Sequence, residues 1–315
     1  MRASLRSVMP AAFVFIFWGI VASAQLNAEV VSLRIMSWNV ESDGADPRVV
    51  ARRIAAAEGV HIWALSEVGS DSDAEQFEDA AEVGEEGDFK RIVGTTGGRD
   101  RLAIIYDSSK LTLHGTEELH RINIAGRVRA PLVAHFEGKK SGQQFLFMVV
   151  HLYRGSTSGR HQQATMLNQW ARSQTLPVIA CGDWNFDWHV QTGDDPSSRD
   201  RGFDHLTSDG VFTWVRPNTL VKTQDSDFNS VLDFVFVAGE AAGWQATSTI
   251  VVERGDFPND RRTSDHRPVE CVFTLDTNGR GPSLTPEMSN QEILNRISEL
   301  EEELKQLRRM IESRN

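Results

Sequence analysis

The sequence predicts a strand-dominated α+β domain followed by a separate helical segment at the C-terminus. Three observations lead there. Short apolar runs rich in β-branched and aromatic residues recur from Val31 to Leu275, several of them apolar throughout and therefore suited to burial on both faces. Helical signals fall between them and give a strand, helix, strand rhythm in both halves. After Leu275 the composition changes to Asp276-Thr277-Asn278-Gly279-Arg280-Gly281-Pro282-Ser283, a turn-forming linker, and a heptad repeat follows.

At the N-terminus, Arg2 and Arg6 precede an apolar run from Ala11 to Ala22 and the small-residue site Ala22-Ser23-Ala24. The run is too short to span a bilayer, so residues 1–24 are expected to be a secretory signal. The mature protein is then secreted or periplasmic, with no stable membrane insertion after cleavage; an uncleaved signal anchor is the alternative. One domain is expected over residues 29–275, long enough for a single large core. Strands are expected over 31–38, 61–66, 102–106, 132–136, 145–152, 178–181, 231–237 and 268–275. Asp46-Pro47 supplies a cap and a first-turn proline for a helix carrying Val49, Val50, Ile54 and Ala57. A second helix is expected over 159–174, polar on one side with Met166, Leu167 and Trp170 on the other. Cys181 and Cys271, the two cysteines, lie in apolar runs and read as buried small hydrophobes, which excludes a disulfide framework.

Residues 276–289 read as a linker and 290–315 as a coiled-coil helix. Ile293, Ile297, Leu300, Leu304, Leu307 and Ile311 recur at alternating steps of four and three. In a parallel pair this seam sets Arg296 against Glu301 and Glu303 against Arg308, both complementary in sign. The segment 293–311 is therefore expected to make a homo-oligomer, a dimer or a trimer; a single helix folded back on the domain is the alternative.

The formal charge is -11, and loss of Arg2 and Arg6 with the signal would leave -13. The charge is unevenly spread along the chain. Residues 67–88 hold ten acids and no base, whereas residues 90–172 hold thirteen bases against five acids. The second stretch is expected to give an acidic body a positive rim for a polyanion; ordinary solvated surface is the bland alternative.

Six strand-like runs end in, or enclose, an acid, an amide or an imidazole: Met36-Ser37-Trp38-Asn39-Val40, Leu65-Ser66-Glu67, Val150-His151-Leu152, Gly182-Asp183-Trp184-Asn185, Leu232-Asp233-Phe234 and Thr263-Ser264-Asp265-His266-Arg267-Pro268. Any one of them reads as a polar strand end or a turn. Together they suggest polar groups converging at the rim of a sheet core, where a metal and a phosphate could be held. Their order and spacing resemble the endonuclease/exonuclease/phosphatase superfamily, which includes pancreatic-type deoxyribonucleases, abasic-site endonucleases, neutral sphingomyelinases and inositol polyphosphate 5-phosphatases. The resemblance runs from about residue 31 to 273. It implies a four-layer αββα sandwich of two mixed β-sheets flanked by helices, with the site at one edge.

The resemblance also implies roles. Glu67 would be the principal metal carboxylate, with Asn39 and Asp265 around the same ion, expected to be Mg²⁺ with Mn²⁺ or Ca²⁺ as alternatives; hard cations favour oxygen ligands. Asp183 would activate water, and Asn185, two residues on along a strand, would face the same side and orient water or phosphate. His266 would donate to a phosphoryl oxygen, with Asp233 raising its pKa and fixing its tautomer. His151 would be a general acid or base oriented by Asp100, and Arg129 would contact substrate phosphate. Arg101 and Arg154 are weaker phosphate candidates, chosen for nearness. Trp184, Phe186 and Trp188 could contact a base or a lipid chain, although packing is the commoner use of such residues. The function implied is an exported, divalent-metal-dependent phosphodiester hydrolase with nucleic acid as substrate, of deoxyribonuclease-like type. A phospholipid or inositol-phosphate phosphodiesterase or phosphatase is the alternative, and an inactive scaffold with the same fold is the second. Light scattering of the chain with and without residues 287–315 tests the coiled coil; a larger species only in the intact chain is expected, and equal masses would remove the oligomer.

Overall fold

Strands that are apolar throughout need cover on both faces, and the architecture gives it by setting them at the centre of two stacked sheets. The computed structural model describes residues 30–126 and 128–276. The expected signal segment, nearly all of the expected linker and the coiled coil lie outside the described residues. In chain order the elements are β1 (Val30–Asn39), α1 (Pro47–Ala55), β2 (Ile62–Val68), α2 (Asp71–Glu82), β3 (Phe89–Val93), β4 (Arg101–Asp107), β5 (Leu111–Glu118), β6 (Leu132–Gly138), β7 (Gln144–His151), α3 (Thr157–Arg172), β8 (Val178–His189), α4 (Arg201–Thr207), β9 (Phe212–Trp214), β10 (Ser230–Ala238), β11 (Gln245–Ile250) and β12 (Val269–Asp276).

One sheet has the order β11-β12-β1-β2-β4-β3 and the other β5-β6-β7-β8-β10-β9. Both are mixed, with β1 parallel to β2 and β7 parallel to β8, and antiparallel pairs elsewhere. Between the sheets Leu33, Ile35, Ile62 and Ile104 join one apolar core with Phe136, Phe147 and Val149, and Tyr106 meets Phe136 at a ring distance of 4.8 Å. On the outer side of the first sheet, Trp38, Trp63 and Leu65 pack with Val50 and Ile54 of α1 and Phe77 of α2. The second sheet is covered by α3 and α4 through Leu167 and Leu206. These four layers match the architecture implied by the resemblance.

The helix starts follow local chemistry. Asp46 accepts from the Arg48 N–H with Pro47 in the first turn, as the sequence suggests. The start of α3 lies two residues before the expected Gly159 because Ser156 accepts from the Gly159 N–H and caps there. Within the acid-rich stretch, Ser70 caps α2, and Ala74, Phe77, Ala80 and Ala81 form a buried stripe. Both cysteines are buried free thiols. No helix among the described residues is long and apolar enough to cross a membrane.

Gly182 fixes the register between β7 and β8. Its φ is +137°, and a Cβ there would lie 2.0 Å from the Val150 carbonyl oxygen, so only glycine lets the two backbones approach. Gly182→Ala is expected to destabilise the domain by about 3 kcal/mol or more, read as a lowered midpoint in thermal unfolding; a midpoint within 1 °C of wild type would show that the approach is not constrained.

Candidate active site

Strand register brings the polar groups together. In the second sheet β7 pairs with β8 so that His151 stands beside Asp183, and β10 pairs on the other side so that Asp233 stands beside Asp183. The three form one row across adjacent strands. In the first sheet β1 and β2 run parallel and end together, with Asn39 opposite Ser66 and Glu67 next in line. The ends of β1, β2 and β7 and the middle of β8 therefore meet at the same edge of the sandwich. Asn39 joins the two sheets: its Nδ2 donates to Glu67 Oε1 at 3.0 Å and to Asp183 Oδ2 at 3.1 Å. Its Oδ1 accepts from the Glu41 N–H.

The loop holding Asp265 and His266 is stapled beneath this edge. Ser264 Oγ donates to the Asn39 carbonyl at 2.5 Å and accepts from the His266 N–H, and Trp38 Nε1 donates to the His266 carbonyl. His266 Nδ1 meets Asp233 Oδ2 at 2.8 Å. With Nδ1 carrying the proton to that carboxylate, Nε2 points to the open side, 3.8 Å from both Asp183 Oδ2 and Asp265 Oδ1. Asp265 Oδ2 accepts from Gln224 Nε2, and its backbone N–H donates to Glu41 Oε2. Irregular backbone makes these turns. Glu41, Glu67 and Asn185 all have positive φ, and the ladders carry irregularities between Leu65 and Val68 and between Val231 and Asp233. At the second, Thr223 Oγ1 accepts from the Leu232 N–H that the irregular ladder leaves over. Strain of this kind concentrates where geometry is functional.

Two histidines in the same site are tuned in opposite directions. Burial alone would lower the His266 imidazole, but the charge and hydrogen bond of Asp233, with Asp183 and Asp265 beyond, lift it to about 10. Burial drives His151 well below its ordinary value, helped by Arg129, His266 and Arg154. His151 is therefore neutral, with Nε2 3.4 Å from Asp183 Oδ2 and Nδ1 3.7 Å from Glu67 Oε1. Its Nδ1 is buried without a hydrogen-bond partner. Asp183 is raised to about 7, by burial first and then by Asp233, and Glu67 is raised by burial.

Most residues expected at the site are there, but some expected contacts are replaced. The carboxylates near His151 are Glu67 and Asp183. Asp100 instead accepts from Ser42 Oγ at 2.8 Å and faces Arg129, whose Nη2 lies 3.4 Å away. Asp100 therefore spends its charge on Arg129, and that guanidinium stands behind the carboxylates in a largely buried position. Arg101 pairs with Asp71 at the start of α2. Arg154 lines the cleft with Glu41, Asp43, Glu67, Asp265 and His266. Asn185 uses its Nδ2 on the Leu152 carbonyl and its N–H on Asp183 Oδ1, so it positions Asp183. Trp184, Phe186 and Trp188 are buried and cannot reach a base or lipid. Part of the basic stretch is taken up in ion pairs: Lys90 pairs with Asp88, Arg91 with Glu78, Arg99 with Asp43, Arg160 with Asp200 and Arg172 with Asp209.

Sequence reasoning missed Glu41 and Gln224. Glu41 carries a left-handed φ two residues after Asn39, and burial with the neighbouring Asp265 raises its carboxyl. An acid so near a site asparagine was the available signal. Gln224 is placed by its bridge to His266, which no local pattern announces.

A model of the endonuclease/exonuclease/phosphatase family matches residues 36–266. No curated protein shows significant sequence similarity to the chain. Among solved structures, an endonuclease/exonuclease/phosphatase family protein from Bacteroides thetaiotaomicron is 21% identical with a TM-score of 0.59, covering 79% of this chain and 97% of its own. A mannosyl-6-phosphatase from the same organism is 20% identical with a TM-score of 0.57, covering 77% and 99%. D. rerio TDP2 complexed with a single-strand DNA product is 18% identical with a TM-score of 0.60, covering 77% and 98%.

The donor set fits a hard divalent cation. Glu67, His151 and Asp183 form one compact group and Asp183, Asp233 and His266 another, sharing Asp183. Glu41 and Asp265 line the cleft beside them. Burial first, and neighbouring carboxylates after it, raise Glu67, Asp183 and Glu41. A carboxyl raised on folding binds its proton more tightly in the folded state, so metal-free stability falls as pH rises from 3.8 toward 7 through Asp183. A cation bound among these groups relieves that loss. Mg²⁺ is therefore expected to raise the unfolding midpoint more at pH 8 than at pH 5, by a difference of about 3 °C or more, and Asp183→Asn to reduce the difference. An equal Mg²⁺ effect at both pH values would refute the assignment.

Proposed function

The chain belongs to the endonuclease/exonuclease/phosphatase family, and on that premise we propose that it is an exported, divalent-metal-dependent phosphodiester hydrolase, a nuclease of deoxyribonuclease-like type. The observation that carries this reading is the row His151, Asp183 and Asp233, backed by His266 and facing Asn39 and Glu67. Competent side chains in hydrogen-bond reach of one another argue against an inert scaffold. The N-terminal charge, apolar run and small-residue site support export.

Phosphodiester hydrolysis needs an activated water, relief of charge on the phosphoryl oxygens and a proton for the leaving oxygen. Asp183, held at Oδ1 by the Asn185 N–H and at Oδ2 by Asn39, accepts the proton of the attacking water. His266, kept protonated by Asp233, directs Nε2–H at a phosphoryl oxygen. His151 is neutral and lies against Asp183, so it can relay a proton toward the leaving oxygen without adding charge. Two imidazoles tuned apart in this way divide donor and relay between them. Arg154 meets a substrate phosphate at the cleft wall. Glu67 and Asp265 would hold Mg²⁺, with Mn²⁺ or Ca²⁺ as replacements, and the ion would supply Lewis-acid relief of the phosphoryl charge.

One observation favours a second reading, hydrolysis of small phosphate esters such as inositol phosphates or lipid headgroups. The cleft is lined by Glu41, Asp43, Asp225 and Asp260 beyond the site, against Arg154 and Arg261, with Arg99, Lys222 and Arg262 facing three of these acids. Such a rim repels a long polyanion more than a single phosphate. Cleavage of supercoiled plasmid in Mg²⁺, with and without chelator, tests the first reading. Nicking that chelator abolishes and that Glu67→Ala and His266→Ala reduce at least about 100-fold is expected. Intact plasmid with hydrolysis of bis(p-nitrophenyl) phosphate would move the assignment to small esters, and full activity in both variants would refute the site.

A further inference from the structure

The far end of the sandwich carries a cavity of opposite character. Leu33, Leu111 and Leu275 give it an apolar floor, and Lys110, Lys139, Lys140, His61 and Ser141 give it a polar wall. Among the described residues that line it there is no carboxylate, in a chain of net charge -11. Val31, also in its lining, lies eight residues before Asn39 along β1, which places the cavity roughly 26 Å from the catalytic edge at the usual strand rise. It is therefore distinct from the cleft described above.

The neutral donors are set by contacts outside the cavity. The Arg34 N–H donates to His61 Nδ1 at 2.9 Å, so the ring proton sits on Nε2. Burial lowers the His61 imidazole and keeps it in that neutral form. Ser141 is 5% exposed, and its Oγ accepts from the Gln143 N–H, which leaves its hydroxyl hydrogen to donate elsewhere. Gly138 makes room for it, since a Cβ there would lie 2.4 Å from that Oγ.

We propose that this cavity is a second ligand site that takes a phosphate monoester bearing an apolar substituent. The lysines, His61 and Ser141 that line this hollow offer ammonium, ring N–H and hydroxyl donors, which match the three terminal oxygens of a dianionic phosphate better than the two of a carboxylate. The leucine floor takes the substituent. The site also stands at the origin of the catalytic supports: β1 runs from Leu33 to Asn39, and His61 directly precedes β2, which carries Glu67. The assignment does not depend on the hydrolase reading.

The His61 ring is the local reporter. The full chain is titrated with n-hexyl phosphate and with inorganic phosphate while histidine ring signals are followed by NMR, with His61→Gln providing the assignment. The His61 signal is expected to move saturably, with hexyl phosphate binding at least about tenfold more tightly than inorganic phosphate. The double variant Lys110→Ala/Lys139→Ala, both exposed side chains, is expected to weaken that response at least about tenfold, with the catalytic-site histidine signals responding as in wild type. A His61 signal that stays still, or that moves equally in the double variant, would overturn the site. Equal affinity for the two phosphates would overturn the apolar substituent.

Discussion

Asp183 is a carboxylate with 2% of its surface exposed, set where two sheets meet, and much of the surrounding geometry answers to that burial. A buried charge is tolerated only with partners. Its partners come from both sheets: Asn39 from the end of β1, the Asn185 N–H from its own strand, and the imidazoles of His151 and His266. For these to meet, the end of β1 and the middle of β8 must lie at the same depth. That in turn requires the close approach at Gly182 and the staple from Ser264 to the Asn39 carbonyl. The same contacts that make the carboxylate tolerable also place it beside every group able to move a proton.

The two imidazoles show how little composition says about chemistry. Both are buried, and burial disfavours the charged ring in each. What separates them is one carboxylate at 2.8 Å. Asp233 stands against His266 and lifts it, whereas His151 meets its carboxylates only at 3.4 and 3.7 Å, and with Arg129 on the unfavourable side it stays neutral. The irregular ladder between Val231 and Asp233, supported by Thr223, aims that carboxylate. Backbone irregularity has here become a difference in protonation.

The strands legible in the sequence are the central ones. Those without a clear signal, β3, β5, β9 and β11, are the four outermost strands of the two sheets. Their reason is shared: an edge strand is half exposed, as in β5, where residues 114–117 are all exposed, so apolar alternation never forms. The segment Asp183–His189 was legible as a motif and misleading as a structure. Asp183 and Asn185 line the site while Trp184, Phe186 and Trp188 alternate onto the helix-covered face, where Trp184 packs on Phe236 at 4.8 Å. The site's main residues were legible because strand ends are short local patterns. Arg129 holding Asp100, Gln224 on Asp265 and Glu41 on the Asp265 N–H were not, because each depends on a loop contact between segments remote in sequence.

Charge along the chain and charge in space part company for the same reason. Several bases of residues 90–172 are brought by the fold against acids of the preceding stretch, as Arg91 of β3 and Arg101 of β4 against Glu78 and Asp71 of α2. Such exposed pairs contribute little to stability, but they remove the cations from any collective field. The linings of the two ends differ in sign, with carboxylates at the catalytic cleft and lysines at the opposite hollow. An acidic cleft attracts a phosphate ester only when a bound cation reverses its local sign. In this fold the cation then serves recognition as well as chemistry, because the described side chains offer the cleft little positive charge beyond Arg154, Arg261 and His266.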